Sequence, residues 1–431
     1  MTMKIERFTE DAEVLRILHS MREQGIDERT FSDVIDAAGH QYVDLVQEGG
    51  GVLGIALTGY VYVLEQMGIR FLQLAGASAG AINTMLMAAA GPINEEKTTW
   101  ILQQLIEQDL SYFIDGDSDA REFIDALMSD ASNLKIALKG AQVVDNFRDD
   151  FGLNPGKNFK NWIQNLLAQR NIHTLAELKA LRKNVPVGFR KRGGPPLGCE
   201  EFERIALVSA DITTETKVEF PRMAELYWSD PDHVNPSEFV RASMSIPIFF
   251  HPYRIKGIPQ GAAQWELWNK LSGYAGNIPT EVLLVDGGIM SNFPIDLFHN
   301  KFEIPKAPTF GVKLGYDRRQ PNKHDKFFGF IGATFDAARH VHDYDFLMQN
   351  PDYRHLLCHI ETGSHNWLNF ELTETERVDL FIRGAKAAGD FLTKFDWEKY
   401  KKLRGETAKV YKHDKALREV EAEALRKAKG K

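Results

Sequence analysis

Three short segments carry residues whose types and spacing can do chemistry. In Gly76-Ala77-Ser78-Ala79-Gly80 a serine is flanked on each side by two small residues. Gly-x-Ser-x-Gly between a strand and a helix is a nucleophile elbow, in which a sharp turn leaves no room for large substituents and holds the Ser78 hydroxyl out at the top of a sheet. In Gly49-Gly50-Gly51-Val52-Leu53-Gly54 glycines follow a β-prone run and open a helical one. Such a turn converges backbone N–H groups at a helix start, a site for an anion that is either a phosphate or a transient oxyanion. In Val282-Leu283-Leu284-Val285-Asp286-Gly287-Gly288 an apolar run ends in an acid with backbone room around it.

The second strand decides between the two anions. The glycine spacing satisfies the G-x-G-x-x-G dinucleotide pattern, but a dinucleotide site wants an acid near the end of the next strand to hold the ribose. That strand ends Gln73-Leu74-Ala75 and enters the serine turn, with no acid present. The sequence therefore favours a nucleophilic serine one unit after an oxyanion loop, with N–H groups of Gly50, Gly51 and Val52 receiving the charge. Losing one such donor costs on the order of 3 kcal/mol of transition-state stabilisation.

The serine needs a base. Among 13 histidines, His340, His342, His355, His359 and His365 cluster late, with Asp343 and Asp345 beside the first two. None follows a strand and an acid in the way a triad histidine does. Asp286 is the better candidate. A free aspartate, with pKa roughly 3.9, is a poor base near neutrality, and partial burial at a strand end would raise it.

The elements that must position these groups read as α/β. A strand is expected at Tyr42–Gln47, a helix at about 54–67, a strand at 70–75 and a helix at about 79–90. Short joints between them imply parallel strands with right-handed crossovers. Residues 1–39 read as a polar, mainly helical arm. The stretch from about 95 to 185 reads as helical, and 190–198 as a loop. Further strands are expected at 204–209, 282–285 and 310–314, and a late helix at 373–392. The uncharged stretch from Phe71 to Asn94 is long enough to span a bilayer, but its glycine turn and its Gln73, Asn83 and Thr84 mark a strand, turn and helix instead.

Composition bounds the rest. The chain has 431 residues, 43% hydrophobic and 26% charged, which suits a large globular domain with insertions. A net charge of −8 argues against nucleic acid as a main partner. Two cysteines, Cys199 and Cys358, are too few for a disulfide scaffold. No secretory signal is read at the start. The expected location is the cytoplasm or, peripherally, a membrane surface. From Lys401 to Lys431 there are 11 Lys/Arg against 5 Asp/Glu, a cationic helical tail read as a solvated or frayed helix that could pack on its own domain, or as one attracted weakly to anionic lipid.

Together the three motifs, in this order, make the chain similar to the patatin-like phospholipases over about residues 42–392. Arg241-Ala242-Ser243-Met244-Ser245-Ile246-Pro247 and Asn292-Phe293-Pro294 add to the resemblance. The resemblance implies a three-layer α/β/α fold with a mostly parallel sheet, spanning residues 40–395. It also implies a Ser–Asp dyad without a catalytic histidine, and hydrolysis of acyl esters of lipids or phospholipids at a membrane or micelle surface. No metal or organic cofactor is required. Carried over, Ser78 is the nucleophile, Asp286 the base, and Gly49, Gly50 and Gly51 the oxyanion loop, with Gly54, Gly76, Gly80, Gly287 and Gly288 supporting the motifs. Where many members carry Arg or Lys before the last glycine of the loop, this chain has Leu53. The alternatives are a non-catalytic interaction or storage protein of the same fold and a dinucleotide-binding enzyme. Residues 253–280, with Trp265 and Trp268 one helical turn apart, and the 190–198 loop are candidates for a cap over the site.

Overall fold

Strands this apolar need both faces covered, which calls for a sheet with helices packed on it. The computed structural model describes residues 3–118, 121–122, 150–315, 321, 333, 337, 343–367 and 369–429. Its centre is a ten-stranded mixed sheet. The strands are β1 (Val34–Ile35), β2 (Gln41–Gln47), β3 (Ile69–Ala77), β5 (Arg190–Lys191), β6 (Ile205–Asp211), β7 (Thr216–Phe220), β9 (Tyr253–Lys256), β10 (Glu281–Asp286), β11 (Thr309–Leu314) and β12 (Leu357–Ile360). A small parallel pair, β4 (Gly152–Asn154) with β8 (Ile248–Phe250), stands apart. The main order is β12-β11-β2-β3-β6-β10-β9. The first five of these run parallel, as expected. β7, β9 and β10 are antiparallel to their neighbours, so the sheet is more mixed than the sequence implied.

The register around β6 positions the site. On one edge β6 pairs along Leu207–Asp211 with β7. Its other edge is shared: β3 pairs with Ile205–Val208, and β10 takes Ser209–Asp211 from the opposite direction. The two strands therefore meet end to end, with Ala77 opposite Val208 and Asp286 opposite Ser209.

The helices are α1 (Glu6–Thr9), α2 (Ala12–Glu23), α3 (Gly54–Gln66), α4 (Ala79–Ala89), α5 (Thr98–Glu107), α6 (Lys157–Ala168), α7 (Leu175–Leu181), α8 (Ser237–Ser243), α9 (Ala262–Ser272), α10 (Gly288–Ser291), α11 (Glu374–Lys394) and α12 (Trp397–Lys429). α3 is the crossover from β2 to β3, and α4 begins the long connection from β3 to β6 that also holds α5, α6 and α7. α11 begins in a capping box of Thr373 with Glu376. It packs closely on α3, where Gly59 meets the Phe381 backbone and Gly384 meets that of Ala56. A side chain at either glycine would separate the helices. The Phe71–Asn94 stretch lies in β3 and α4 and just beyond, and no helix among the described residues is long and apolar enough to cross a membrane.

Several segments differ from their sequence reading. Phe8, Val14, Leu18 and Met21 of the N-terminal residues are buried in the main core. The 95–185 segment holds α5, α6 and α7 but also β4, a three-residue strand defined by its pairing with β8 rather than by any period. Residues 119–120 and 123–149 of it lie outside the described residues. Loop residues Arg190 and Lys191 pair with β1, which in turn pairs at Gln41, the start of β2. The loop is thus at the end of the sheet away from Ser78. Residues 253–256 are an edge strand on β10, and Trp268 is fully buried edge-on to Tyr227 and Tyr274. Trp265, 42% exposed, donates its indole N–H to the Gly276 carbonyl. The cationic tail starts anchored: Trp397 donates to Asp33 at 3.0 Å, and buried Arg404 pairs with Asp352 at 3.2 Å.

Candidate active site

Ser78 sits between β3 and α4 with φ 52° and ψ −121°, a backbone that side-chain-bearing residues rarely adopt. Strain of this kind persists only when the surroundings hold it. Gly76 lies against the backbone of Gly80, and Gly80 against the carbonyl of Gln47, so neither position admits a Cβ. The Ser78 N–H donates to Ser243 Oγ at 3.0 Å, and Ser243 Oγ donates to the Val208 carbonyl at 2.5 Å. The Ser78 hydroxyl lies 3.3 Å from Met244 Sδ.

The glycine loop lies directly beside the elbow. A Cβ built at Gly49 would stand 2.9 Å from Ser78 Cβ. The Gly49 N–H donates to the Asn292 carbonyl at 3.1 Å, and Asn292 Nδ2 returns a bond to the Gly49 carbonyl at 3.2 Å. Gly51 has φ +54° and faces the backbone of Trp367, whose carbonyl accepts the Val52 N–H at 3.0 Å. The Gly49 and Val52 donors are thus engaged. Among the described residues the N–H groups of Gly50 and Gly51 have no acceptor. Gly54 then opens α3 against Ala79.

Asp286 arrives from the other direction. Its N–H donates to the Ser245 carbonyl at 2.8 Å, and its Oδ1 accepts the Gly288 N–H at 2.7 Å. Gly287 packs on the Val208 carbonyl, where a Cβ would not fit, and its N–H reaches the Ser243 carbonyl at 3.3 Å. One segment, 243–245, thus holds both the turn of Ser78 and the start of the Asp286 loop. Below the loop, the ion pair of Glu48 and Lys313 (3.2 Å) is buried, and Glu48 also accepts the Leu314 N–H.

An apolar pocket of about 630 Å³, including solvent at its mouth, adjoins the elbow. Gly51, Val52, Ala79 and Met244 form its end nearest Ser78, and Ile82, Leu86, Phe113, Phe159, Trp162 and Phe370 continue it. None of residues 190–198 or 253–280 lines it. A hydroxyl beside two available N–H donors and an apolar slot, with a carboxylate at the end of the facing strand, suits attack on a carbonyl carrying a hydrocarbon chain.

The described late histidines, His355, His359 and His365, lie elsewhere. His365 pairs with Asp379 at 2.7 Å, and His359 lies 3.3 Å from the Gly315 carbonyl. His355 lines a groove between β12 and the last two helices. Asp343 accepts from Ser291 Oγ and from the Phe293 N–H, which braces the loop after Asp286. His340 and His342 lie outside the described residues. Among the described residues no group of three or more His, Cys, Asp or Glu is arranged to hold a metal ion. Three participants had no role in the sequence reading. Ser243 and Asn292 stood there only as parts of similar segments, and Trp367 left no signal because its carbonyl, not its side chain, makes the bond.

The family model for patatin-like phospholipases matches residues 45–299, more than half the chain, and the chain belongs to that family. An uncharacterised protein of Bacillus subtilis strain 168, YqhO, is 28% identical over 358 residues, which cover 83% of this chain and 100% of that one. Among solved structures, VipD from Legionella pneumophila aligns at a TM-score of 0.43 with 14% identity, covering 85% of this chain and 70% of VipD. A chain of the ExoU–SpcU complex from the type III secretion system of Pseudomonas aeruginosa aligns at 0.34 with 14% identity. That match covers 82% of this chain and 51% of the other.

Proposed function

We propose that the protein hydrolyses acyl esters of lipids through an acyl-Ser78 intermediate. The observation that carries this reading is the end-to-end meeting of β3 and β10 on one edge of β6, which sets a serine in a strained turn beside an aspartate. In the proposed cycle Ser78 Oγ attacks the ester carbonyl carbon while its proton passes to Asp286. The N–H groups of Gly50 and Gly51 receive the oxyanion. Collapse expels the alcohol, which takes the proton from Asp286 and leaves the acyl group on Ser78. Water, deprotonated by Asp286, then releases the fatty acid and restores the hydroxyl. The apolar pocket takes the acyl chain.

A fluorophosphonate probe tests the reading. Labelling is expected on Ser78 and absent from Ser78→Ala, with lipid-ester hydrolysis lost in parallel. An adduct mapped to another residue, or unchanged turnover in Ser78→Ala, overturns it.

A further inference from the structure

The wall of the apolar pocket holds one exception. Ala79, Ile82, Asn83 and Leu86 of α4 line it, at the i, i+3, i+4 and i+7 spacing of a single helix face. A face turned to an apolar slot calls for apolar side chains throughout, and Leu105, Phe113 and Phe250 continue the slot in that manner. Among the described residues that line it, Asn83 alone carries a side-chain amide. It is 4% exposed.

Only half of that amide is satisfied. Asn83 Nδ2 donates to Gln47 Oε1 on β2. The orientation is set one step further back. Gln47 Nε2 lies 3.3 Å from Thr84 Oγ1 and 3.6 Å from Met87 Sδ, and a thioether sulfur can only accept. Gln47 therefore turns its nitrogen to Met87 and its oxygen to Asn83, which must answer with its own nitrogen. Asn83 Oδ1 is left buried and, among the described residues, without a donor. An acceptor kept from water without a partner is costly, and buried polar atoms are paired as a rule. Water is a poor partner here, because a buried water needs several polar contacts and the slot around Asn83 is apolar.

We propose that the missing donor arrives with the substrate: the acyl chain that fills this pocket carries a hydroxyl group, and Asn83 Oδ1 accepts its hydrogen bond. The inference deepens the hydrolase reading, from which it takes the pocket as the acyl slot. The helix sets where the hydroxyl belongs. Ser78 is the N-cap of α4, and Asn83 stands little more than one turn beyond it, roughly 7 Å along the axis. The hydroxyl therefore lies towards the carbonyl end of the chain and not at its methyl end. A plain alkyl chain would cover Asn83 Oδ1 and leave it empty. A site built to bond a substrate hydroxyl rejects the analogue that lacks it, for this reason.

Binding of free fatty acids to the full chain tests this without turnover. Dodecanoic acid is titrated calorimetrically beside hydroxydodecanoic acids that carry the hydroxyl near the carboxyl group, in mid-chain or next to the methyl end. In a purely apolar slot a hydroxyl weakens binding. Opposite Asn83 it is expected to strengthen it, by about tenfold for one of the first two isomers over the plain acid. Asn83→Leu, which keeps the size and removes the acceptor, is expected to reverse that order, with the melting temperature as the folding control. A plain acid that binds the unaltered chain as tightly as every hydroxylated isomer overturns the inference, and this comparison needs no variant. A preference for the hydroxyl that survives in Asn83→Leu overturns it as well, and so does binding of none of the acids. Fluorophosphonate labelling of Ser78 does not depend on a hydroxyl in the chain, so the two readings fail separately.

Discussion

Ser78 and Asp286 stand at the facing ends of two strands that share one edge of β6. Ala77 pairs with Val208, and Asp286 pairs with the next residue, Ser209. Consecutive residues of a strand rise about 3.3 Å, so the two loops begin almost in contact. The proposed chemistry uses this backbone geometry in place of a triad's third member, with the proton passing directly between the hydroxyl and the carboxylate.

Asp286→Asn separates the base from the scaffold. Asparagine keeps an oxygen for the Gly288 N–H, so the loop stays in place. Ester hydrolysis is expected to fall by about 10²–10⁴-fold, the usual worth of a positioned base, with the melting temperature little changed. Ser78→Ala falls further, on the order of 10⁶. Steady-state rates on a soluble nitrophenyl ester measure both, and an Asn variant within threefold (~3) of wild type would discard Asp286 as the base.

Ser243→Ala acts on the turn itself. The substitution removes the acceptor for the Ser78 N–H and the donor to the Val208 carbonyl, both buried. Leaving buried polar groups unsatisfied costs about 1–3 kcal/mol, which urea denaturation will read as a lower midpoint. The labelling rate of Ser78 should fall with it. Stability loss with unchanged labelling would show that the elbow keeps its shape without Ser243.

Much of this site was legible in the sequence, for a physical reason. A strained serine turn excludes side chains at Gly76 and Gly80, and an acid at the end of an apolar run followed by glycines is equally restrictive, so both left patterns in residue type. The direction of β10 left none. An apolar strand ending in Asp-Gly-Gly reads the same whether it runs parallel or antiparallel, and only pairing with β6 decides. The wall of the apolar pocket was hidden for a related reason: Phe113, Phe159 and Phe370 look like ordinary core aromatics until the fold brings them to one slot. Trp265 and Trp268 drew attention by type, yet one is core and the other lies outside that slot.

Chain-length preference should follow the pocket. Ile82, on α4 one turn beyond the elbow, lines it and is only partly buried, so a larger side chain there fills the slot without rebuilding the core. Ile82→Trp is expected to lower kcat/KM on dodecanoyl esters about tenfold or more while sparing acetyl esters. Equal losses on both would place the acyl chain elsewhere.

Asp44 offers a pH-dependent stability that is independent of the chemistry. It lies buried in β2, where its carboxylate accepts the Gln73 N–H at 3.1 Å and the Thr309 hydroxyl at 3.3 Å. Burial outweighs those bonds and pushes its pKa from the usual 3.8 up to about 7. Between these values the folded chain holds a proton that the unfolded chain has released. Stability from this group is therefore full below the unfolded value and is lost as pH rises through the folded one. Asp44→Asn keeps the acceptor oxygen and removes the charge. The variant should match wild type near pH 4 and exceed it above pH 7, by up to an amount on the order of 4 kcal/mol. Urea midpoints at the two pH values measure the gap, and a gap that does not open with pH would mean that Asp44 is ionised in the folded protein at little cost.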